Sequence, residues 1–97
     1  MPNYRLTPAG KSDLLEIWNY TVETWRGKQA EKYLLDIEVK LEQLAANPKL
    51  GRQRSEISPG YYSFPVGKHI LFYLHLGNKI DIIGFLHGRM DIDKNLL

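Results

Sequence analysis

Residues 69–87 read HILFYLHLGNKIDIIGFLH, and this stretch decides the fold class. Apolar residues recur at every second position up to Leu76, the dipeptide Gly77-Asn78 interrupts them, and a second apolar run follows from Lys79. A period of two is the pattern of a β-strand, and a Gly-Asn pair between two such runs favours a two-residue hairpin turn. The stretch therefore predicts a β-hairpin.

The residues before this hairpin extend it to three antiparallel strands. Residues 62–66 are predicted to form a strand, and the pair Gly67-Lys68 is predicted to turn the chain into the next one. Pro65 has no N–H to donate, so we expect this strand to lie at a sheet edge or to carry a bulge there. Residues 48–60, with several glycines and prolines, are predicted to be a loop.

Two helices are predicted upstream, where the apolar period changes to 3.6 residues. The first follows a Thr7-Pro8 cap and runs to about residue 25, with Gly27 placed to end it. Its apolar face is expected to contain Leu14, Leu15, Trp18, Thr21, Val22 and Trp25. The second covers about residues 28–46 and has the apolar seam Ala30, Leu34, Ile37, Leu41 and Leu44. The short link between them predicts an antiparallel helix hairpin.

The complete predicted order is a short N-terminal strand at residues 3–7, the helix hairpin, and the three-stranded meander. This is an α+β arrangement. The 97 residues are expected to form a single domain over positions 1–97. No internal repeat or low-complexity segment divides the chain.

Composition narrows the classes of function. The chain has no cysteine, so disulfides, thiolate metal sites and thiol catalysis are excluded. No apolar run reaches the ~20 residues of a membrane span and no signal-peptide pattern is present, so a cytoplasmic location is expected. The net charge of +2 permits contact with nucleic acid but does not favour it, because phosphate binding usually requires more basic residues.

Apolar residues on the far side of the sheet predict an interaction surface. Two helices cover only one face of a sheet, so we expect an exposed set on the other face, formed by Leu71, Tyr73, Ile83 and Phe85. The alternative is that the C-terminal residues Met90, Ile92, Leu96 and Leu97 fold back over part of it. On the second helix, Leu35 and Val39 lie off the seam; they either pack at an edge or form an exposed strip for a partner.

Catalytic chemistry has little support in the sequence. Ribonuclease activity without a metal needs a base, a cation for the phosphorane charge, and an acid. His87 and Arg89 are the most suggestive pair, yet they need not converge at a strand end, and Arg89 could pair with Asp91 instead. Three scattered histidines predict no metal site, and no phosphate-binding loop is present. We therefore expect no catalytic residue, no metal and no cofactor.

Four segments, in this order, resemble the ParE toxins of the RelE/ParE superfamily. They are YRLTPAGKSDLLEIWNYTVETW (4–25), LAANPKLGRQR (44–54), SFPVGKHILFY (63–73) and LHGRMD (86–91). The resemblance implies a RelE-like fold in the order β-αα-βββ. It also implies a toxin of a type II toxin–antitoxin module that contributes to plasmid or chromosome stability.

The resemblance further implies how such a toxin acts. It is expected to inhibit DNA gyrase by contacting the A subunit of the enzyme, through binding and not through catalysis. A ParD-like antitoxin would neutralise it by folding a disordered segment around it, which makes a hetero-oligomer. DNA would be contacted only through gyrase or the antitoxin, and no membrane would be involved.

Site residues follow from combining the resemblance with the predicted surfaces. Antitoxin contacts are expected from Leu35, Val39, Arg54, Leu71, Tyr73, Ile83 and Phe85. Contacts that produce toxicity are expected from Lys68, His87, Arg89 and Met90. Many relatives carry arginine where this chain has Tyr62 and a basic residue where it has Leu74, which predicts altered potency or target.

Two other functions stay open from sequence. One is a ribosome-dependent mRNA endonuclease of the RelE type that uses His87 and Arg89. The other is a binding module that has lost its toxicity and only partners its antitoxin.

Overall fold

The computed structural model describes residues 4–87, except for the side chain of Trp25. The elements are β1 (Tyr4–Leu6), α1 (Pro8–Trp25), α2 (Gly27–Ala46), a 3₁₀ turn (Pro48–Leu50), β2 (Arg52–Gln53), β3 (Tyr61–Val66), β4 (His69–Leu76) and β5 (Lys79–His87). They form one sheet in the order β1-β5-β4-β3-β2, in which β1 is parallel to β5 and the other neighbours are antiparallel. The predicted α+β class and order of elements are confirmed.

The two helices begin and meet in ways that the sequence predicts only in part. Thr7 caps α1, because its Oγ1 accepts a hydrogen bond from the Gly10 N–H at 3.1 Å, and Pro8 occupies the first turn. The role predicted for Gly27 is wrong, since it begins α2 instead of ending α1. The residue with a positive φ at the junction is Arg26, with φ 73° and ψ 168°. Such a conformation, which glycine usually adopts, costs another residue about 1–3 kcal/mol.

The buried faces of the helices differ from the prediction for α1 and agree for α2. In α1 the buried side chains are Ile17 and Thr21, while Leu15 is 59 % exposed and Val22 37 % exposed. The helix is therefore rotated relative to the predicted face. The Thr21 hydroxyl is satisfied inside the helix, where it donates to the Ile17 carbonyl at 2.9 Å. In α2 the predicted seam is buried, apart from the half-buried Leu34.

A bulge in β5 decides which side chains of the sheet enter the core. Phe72 pairs with Gly84 and Tyr73 pairs with Ile82, so Ile83 is an extra residue in β5. Because an extra residue reverses the alternation of a strand, residues on both sides of the bulge share one face. The core under the helices contains Ile17, Ile37, Leu41, Leu44, Leu71, Tyr73, Ile80, Ile82 and Phe85.

The predicted exposed set on the far face of the sheet is therefore wrong. Leu71 and Tyr73 are fully buried, Phe85 is 5 % exposed, and Ile83 is half-buried at the bulge. Both faces of β4 carry apolar side chains, so its sequence does not show which face of the strand packs against the helices. The alternative fold-back of Met90, Ile92, Leu96 and Leu97 lies outside the described residues.

Tyr73 anchors β4 to the loop that follows α2. Its buried hydroxyl donates to the Pro48 carbonyl at 2.6 Å and accepts from the Gly51 N–H at 3.1 Å. Burial raises the pKa of this phenol. The ring of Tyr62 stacks on it, with centroids 5.4 Å apart. The position where many relatives carry arginine thus packs against the core in this chain.

The turns and the sheet edge agree with the prediction. Gly67 and Gly77 have φ values of 57° and 58°, as two-residue hairpin turns require. Pro65 lies beyond the reach of β2, which pairs only with Tyr62 and Ser63, and so stands at an edge. β2 itself was not predicted, because two residues are too few to show a period. Between residues 4 and 87, no helix is long and apolar enough to cross a bilayer.

Candidate functional site

The first half of α1 completes the edge of β5 where β1 ends. β1 pairs with β5 only as far as Ile82. Beyond that point the Phe85 N–H has no neighbouring strand on this side, and it donates to Asp13 Oδ2 at 3.0 Å. The Thr7 N–H donates to the Ile82 carbonyl at 3.2 Å. A helix carboxylate thus replaces a strand as the hydrogen-bonding partner of the sheet edge.

Two glycines permit this close approach of α1 to β5. A Cβ at Gly84 would lie 2.7 Å from Asp13 Oδ2, and a Cβ at Gly10 would lie 2.6 Å from the Ile82 carbonyl oxygen. Real Cβ atoms do not approach other atoms so closely. A larger residue at Gly10 would meet the backbone of β5, and one at Gly84 would displace the Asp13 carboxylate from its position. The space beside Gly84 is occupied by the Asp13 carboxylate.

An open cleft of ≈ 290 Å³ lies beside this junction. It is lined by Asp13, Glu16, Ile17, Tyr20, His69, Phe85 and His87. Two carboxylates from α1 form one side of it, and aromatic or imidazole rings contribute most of the remainder. No lysine or arginine of the described range lines the cleft.

Two histidines face each other across β4 and β5 at the cleft. His69 and His87 are directly paired, with ring centroids 5.6 Å apart and planes at 82°. His69 Nδ1 lies 2.8 Å from the Tyr33 hydroxyl, which also accepts a hydrogen bond from the Lys68 N–H at 3.2 Å. Burial, and secondarily the neighbouring His87, lowers the pKa of His69. The His69 imidazole is therefore neutral at neutral pH.

The sequence singled out His87 and Arg89 as the most suggestive pair, and not His69. Counting back from the Leu76–Lys79 pair without a bulge places His69 opposite Leu86. The bulge at Ile83 shifts the pairing by one residue and brings His69 to His87 instead. No sequence signal marks that bulge apart from the glycine at position 84.

The cleft is unfavourable for phosphodiester cleavage. Asp13 and Glu16 stand beside the two imidazoles and would repel a phosphate group. His87 pairs with His69, while its predicted catalytic partner Arg89 lies outside the described residues. Within residues 4–87, no group of three His, Asp or Glu side chains could hold a metal ion.

The structure brings two of the predicted toxicity residues to one end of the sheet. Lys68 lies in the turn between β3 and β4, next to His69, and His69 pairs with His87. Arg89 and Met90, the other two, lie outside the described residues. Whether Lys68 and His87 contact a target stays a prediction.

The residues predicted to contact an antitoxin are separated by the structure. Leu35 is 60 % exposed and Val39 49 % exposed, one turn apart on α2, which confirms the exposed strip. Arg54 is folded into its own loop: its Nε donates to Ser63 Oγ at 2.8 Å, and its side chain is 15 % exposed. Leu71, Tyr73 and Phe85 are buried and Ile83 is half-buried, so they do not form the exposed face that was predicted. Whether any of these residues contacts an antitoxin stays a prediction.

Comparisons with known proteins give a consistent result. The profile of the family described as "ParE toxin of type II toxin-antitoxin system, parDE" matches residues 4–92. Toxin ParE1 of Mycobacterium tuberculosis is 45 % identical over 94 residues, which cover 96 % of each chain. Toxin ParE1 of Caulobacter vibrioides is 32 % identical over 99 % of each chain. Toxin ParE of Escherichia coli is 30 % identical over 99 % of this chain and 94 % of its own.

A solved structure shares the fold at lower sequence identity. It is a chain of the chromosomal ParDE toxin–antitoxin system from P. aeruginosa, and it superposes with a TM-score of 0.74 at 20 % identity. The superposition covers 90 % of this chain and 96 % of that one. Taken with the profile match over residues 4–92, these similarities show that the chain belongs to the ParE toxin family of type II toxin–antitoxin systems.

Proposed function

We propose that this chain inhibits DNA gyrase by binding the A subunit of that enzyme, and that a ParD-like antitoxin neutralises it. The observation that carries the proposal is the similarity to ParE toxins along nearly the whole chain, from residue 4 to residue 92. The structural relative comes from a ParDE toxin–antitoxin system, which supports an antitoxin partner for this chain as well.

The geometry favours a binding protein over a hydrolase. The two histidines that could act as acid and base stand beside the carboxylates of Asp13 and Glu16, which oppose a phosphate substrate. Exposed apolar side chains, by contrast, are available on both helices. Leu35 and Val39 have no role in the core, so their exposure leaves apolar area free for a partner.

The exposed strip on α2 is a natural surface for an antitoxin segment that folds on binding. Such segments bury a large area while part of the gain is lost to ordering, so each apolar anchor matters. We expect the double substitution Leu35→Asp with Val39→Asp to abolish neutralisation while changing stability by only about 0.5 kcal/mol per site, as usual for surface positions.

The matched control for that variant is Leu76→Asp. Leu76 is 49 % exposed, like Val39, but lies at the β4–β5 turn and away from the helices. Growth rescue by the antitoxin should survive Leu76→Asp and fail in the double variant. Equal rescue of the parent, the Leu76→Asp variant and the double variant would exclude the strip as an antitoxin contact.

The toxin activity itself is tested by expression without antitoxin. We expect growth arrest, induction of the DNA-damage response, and covalent gyrase–DNA cleavage complexes when purified chain is added to gyrase. A normal gyrase cycle at a growth-inhibiting dose would refute gyrase as the target. Cuts at codon positions in translated mRNA, lost in His87→Ala, would establish the endonuclease alternative. Unaffected growth at high expression would establish the non-toxic binding module.

A further inference from the structure

The cleft between α1 and β5 has the composition of a site for an organic cation. We propose that it binds the guanidinium group of an arginine side chain carried by a partner polypeptide. Its volume of ≈ 290 Å³ is at the lower limit of ligand pockets, which run from about 300 to 1,000 Å³. That space suits one long side chain and is small for a nucleotide.

Both carboxylates that line the cleft belong to α1, so the negative charge lies on one side of it. Asp13 and Glu16 are three residues apart on α1, so their carboxylates lie on the same face of the helix. Asp13 is held in place because its Oδ2 accepts the Phe85 N–H at 3.0 Å. Neither its second oxygen nor the Glu16 carboxylate forms a hydrogen bond with another part of the chain between residues 4 and 87. Both are therefore available as acceptors toward a ligand.

Rings form the remaining lining of the cleft. Phe85, which is 5 % exposed, and Tyr20, which is 60 % exposed, both line it. A cation over an aromatic face gains about 0.5–2 kcal/mol. Arginine fits this combination better than lysine, because its planar guanidinium stacks on rings and forms paired hydrogen bonds with a carboxylate.

The His69 imidazole does not oppose a cation at neutral pH. Burial keeps the His69 imidazole neutral, and Tyr33 holds its Nδ1, so the ring presents its other edge near His87. The charged or titratable groups facing His69 are Asp13, Glu16, Tyr20, Tyr33 and His87. Protonation of His69 would place positive charge in the cleft. The affinity for a guanidinium group should therefore fall as the solution is acidified.

The source of the arginine follows from the proposed function. If the chain is neutralised by an antitoxin, the arginine belongs to the antitoxin segment, and this assignment rests on that proposal. The cleft and its preference for a guanidinium group do not depend on it.

The test is an NMR titration of the purified chain with N-acetyl-arginine methylamide. We expect saturable shifts at the Ile17 methyl groups, the Phe85 amide and the His87 ring. The citrulline analogue has the same shape without the charge, and should bind about tenfold more weakly, the equivalent of roughly 1.4 kcal/mol. Linear shifts without saturation, or equal binding of citrulline, would overturn the proposal.

Two substitutions assign the binding to the carboxylates. Glu16→Gln and Asp13→Asn should each weaken binding of the arginine probe several-fold, and Asp13→Asn keeps an oxygen that can accept the Phe85 N–H. Glu31→Gln, an exposed change on α2, is the matched control and should leave the affinity unchanged. Unaltered affinity in both cleft variants would contradict the site. Because this titration needs no gyrase or antitoxin, its failure is distinct from a failure of the gyrase assay.

Discussion

Replacing Asp13 by alanine tests how α1 is attached to the sheet. The side chain supplies the acceptor for the Phe85 N–H at the part of β5 that β1 does not cover. The bond is partly buried and Phe85 is 5 % exposed, so water from the neighbouring cleft would replace the lost partner only in part. An unsatisfied buried donor costs about 1–3 kcal/mol. A domain has a total free energy of unfolding of about 5–15 kcal/mol, so a loss of this size should be measurable as a shift of the unfolding curve.

The control for this prediction is Asp13→Asn, which keeps an oxygen in the same position. If the hydrogen bond is what stabilises the junction, Asp13→Asn should retain most of the stability that Asp13→Ala loses. Urea unfolding followed by tryptophan fluorescence and far-UV circular dichroism measures both variants. For a domain of this size, each kcal/mol lowers the melting temperature by roughly 4–8 °C. An Asp13→Ala protein within about 0.5 kcal/mol of the parent would refute the reasoning.

Two further predictions concern the buried hydroxyl of Tyr73 and the protonation of His69. Tyr73→Phe should lower the free energy of unfolding in urea by about 1–2 kcal/mol, because the Pro48 carbonyl and the Gly51 N–H both lose their hydrogen-bond partner. The control is Tyr20→Phe at a 60 % exposed position, which should change the free energy of unfolding by less than about 0.5 kcal/mol. The pKa of His69 is lowered in the folded chain. As the pH falls below about 6.5, the histidine therefore takes up a proton more readily in the unfolded chain than in the folded one. The free energy of unfolding should decrease as the pH is lowered further. His69→Gln should flatten this dependence in melts between pH 5 and 8, and an unchanged slope would contradict the assignment.

Local patterns predicted the elements because they act over short distances. The Thr7 cap, the α2 seam and the turns at Gly67 and Gly77 depend on neighbours a few residues away, and the structure confirms all of them. The family was also recognisable from sequence, since its four segments occur in order along the chain. The positive-φ residue at the helix junction was misplaced by one position, because glycine is the usual residue with a positive φ, while here Arg26 has it and Gly27 does not.

Packing decided what the patterns left ambiguous. On α1, Leu15 and Val22 satisfy the helical period as well as Ile17 does, but only the contact with the sheet selects Ile17 for the core. Arg54 looked like a free cation for a partner, and its hydrogen bond with Ser63 joins residues that the sheet brings together. Neither outcome can be read from residues close in the chain.

The amino-acid sequence by itself determined the α+β class, the order of elements, the α2 seam and the ParE family. The tertiary structure alone decided the faces of β4 and β5 and the composition of the cleft. The physical reason is the bulge at Ile83: one inserted residue reverses the alternation of β5, turns Phe85 into the core, and sets His69 opposite His87. The alternation of apolar residues carries no information about where such an inserted residue lies, because the position of the bulge depends on how the strands pair across the sheet.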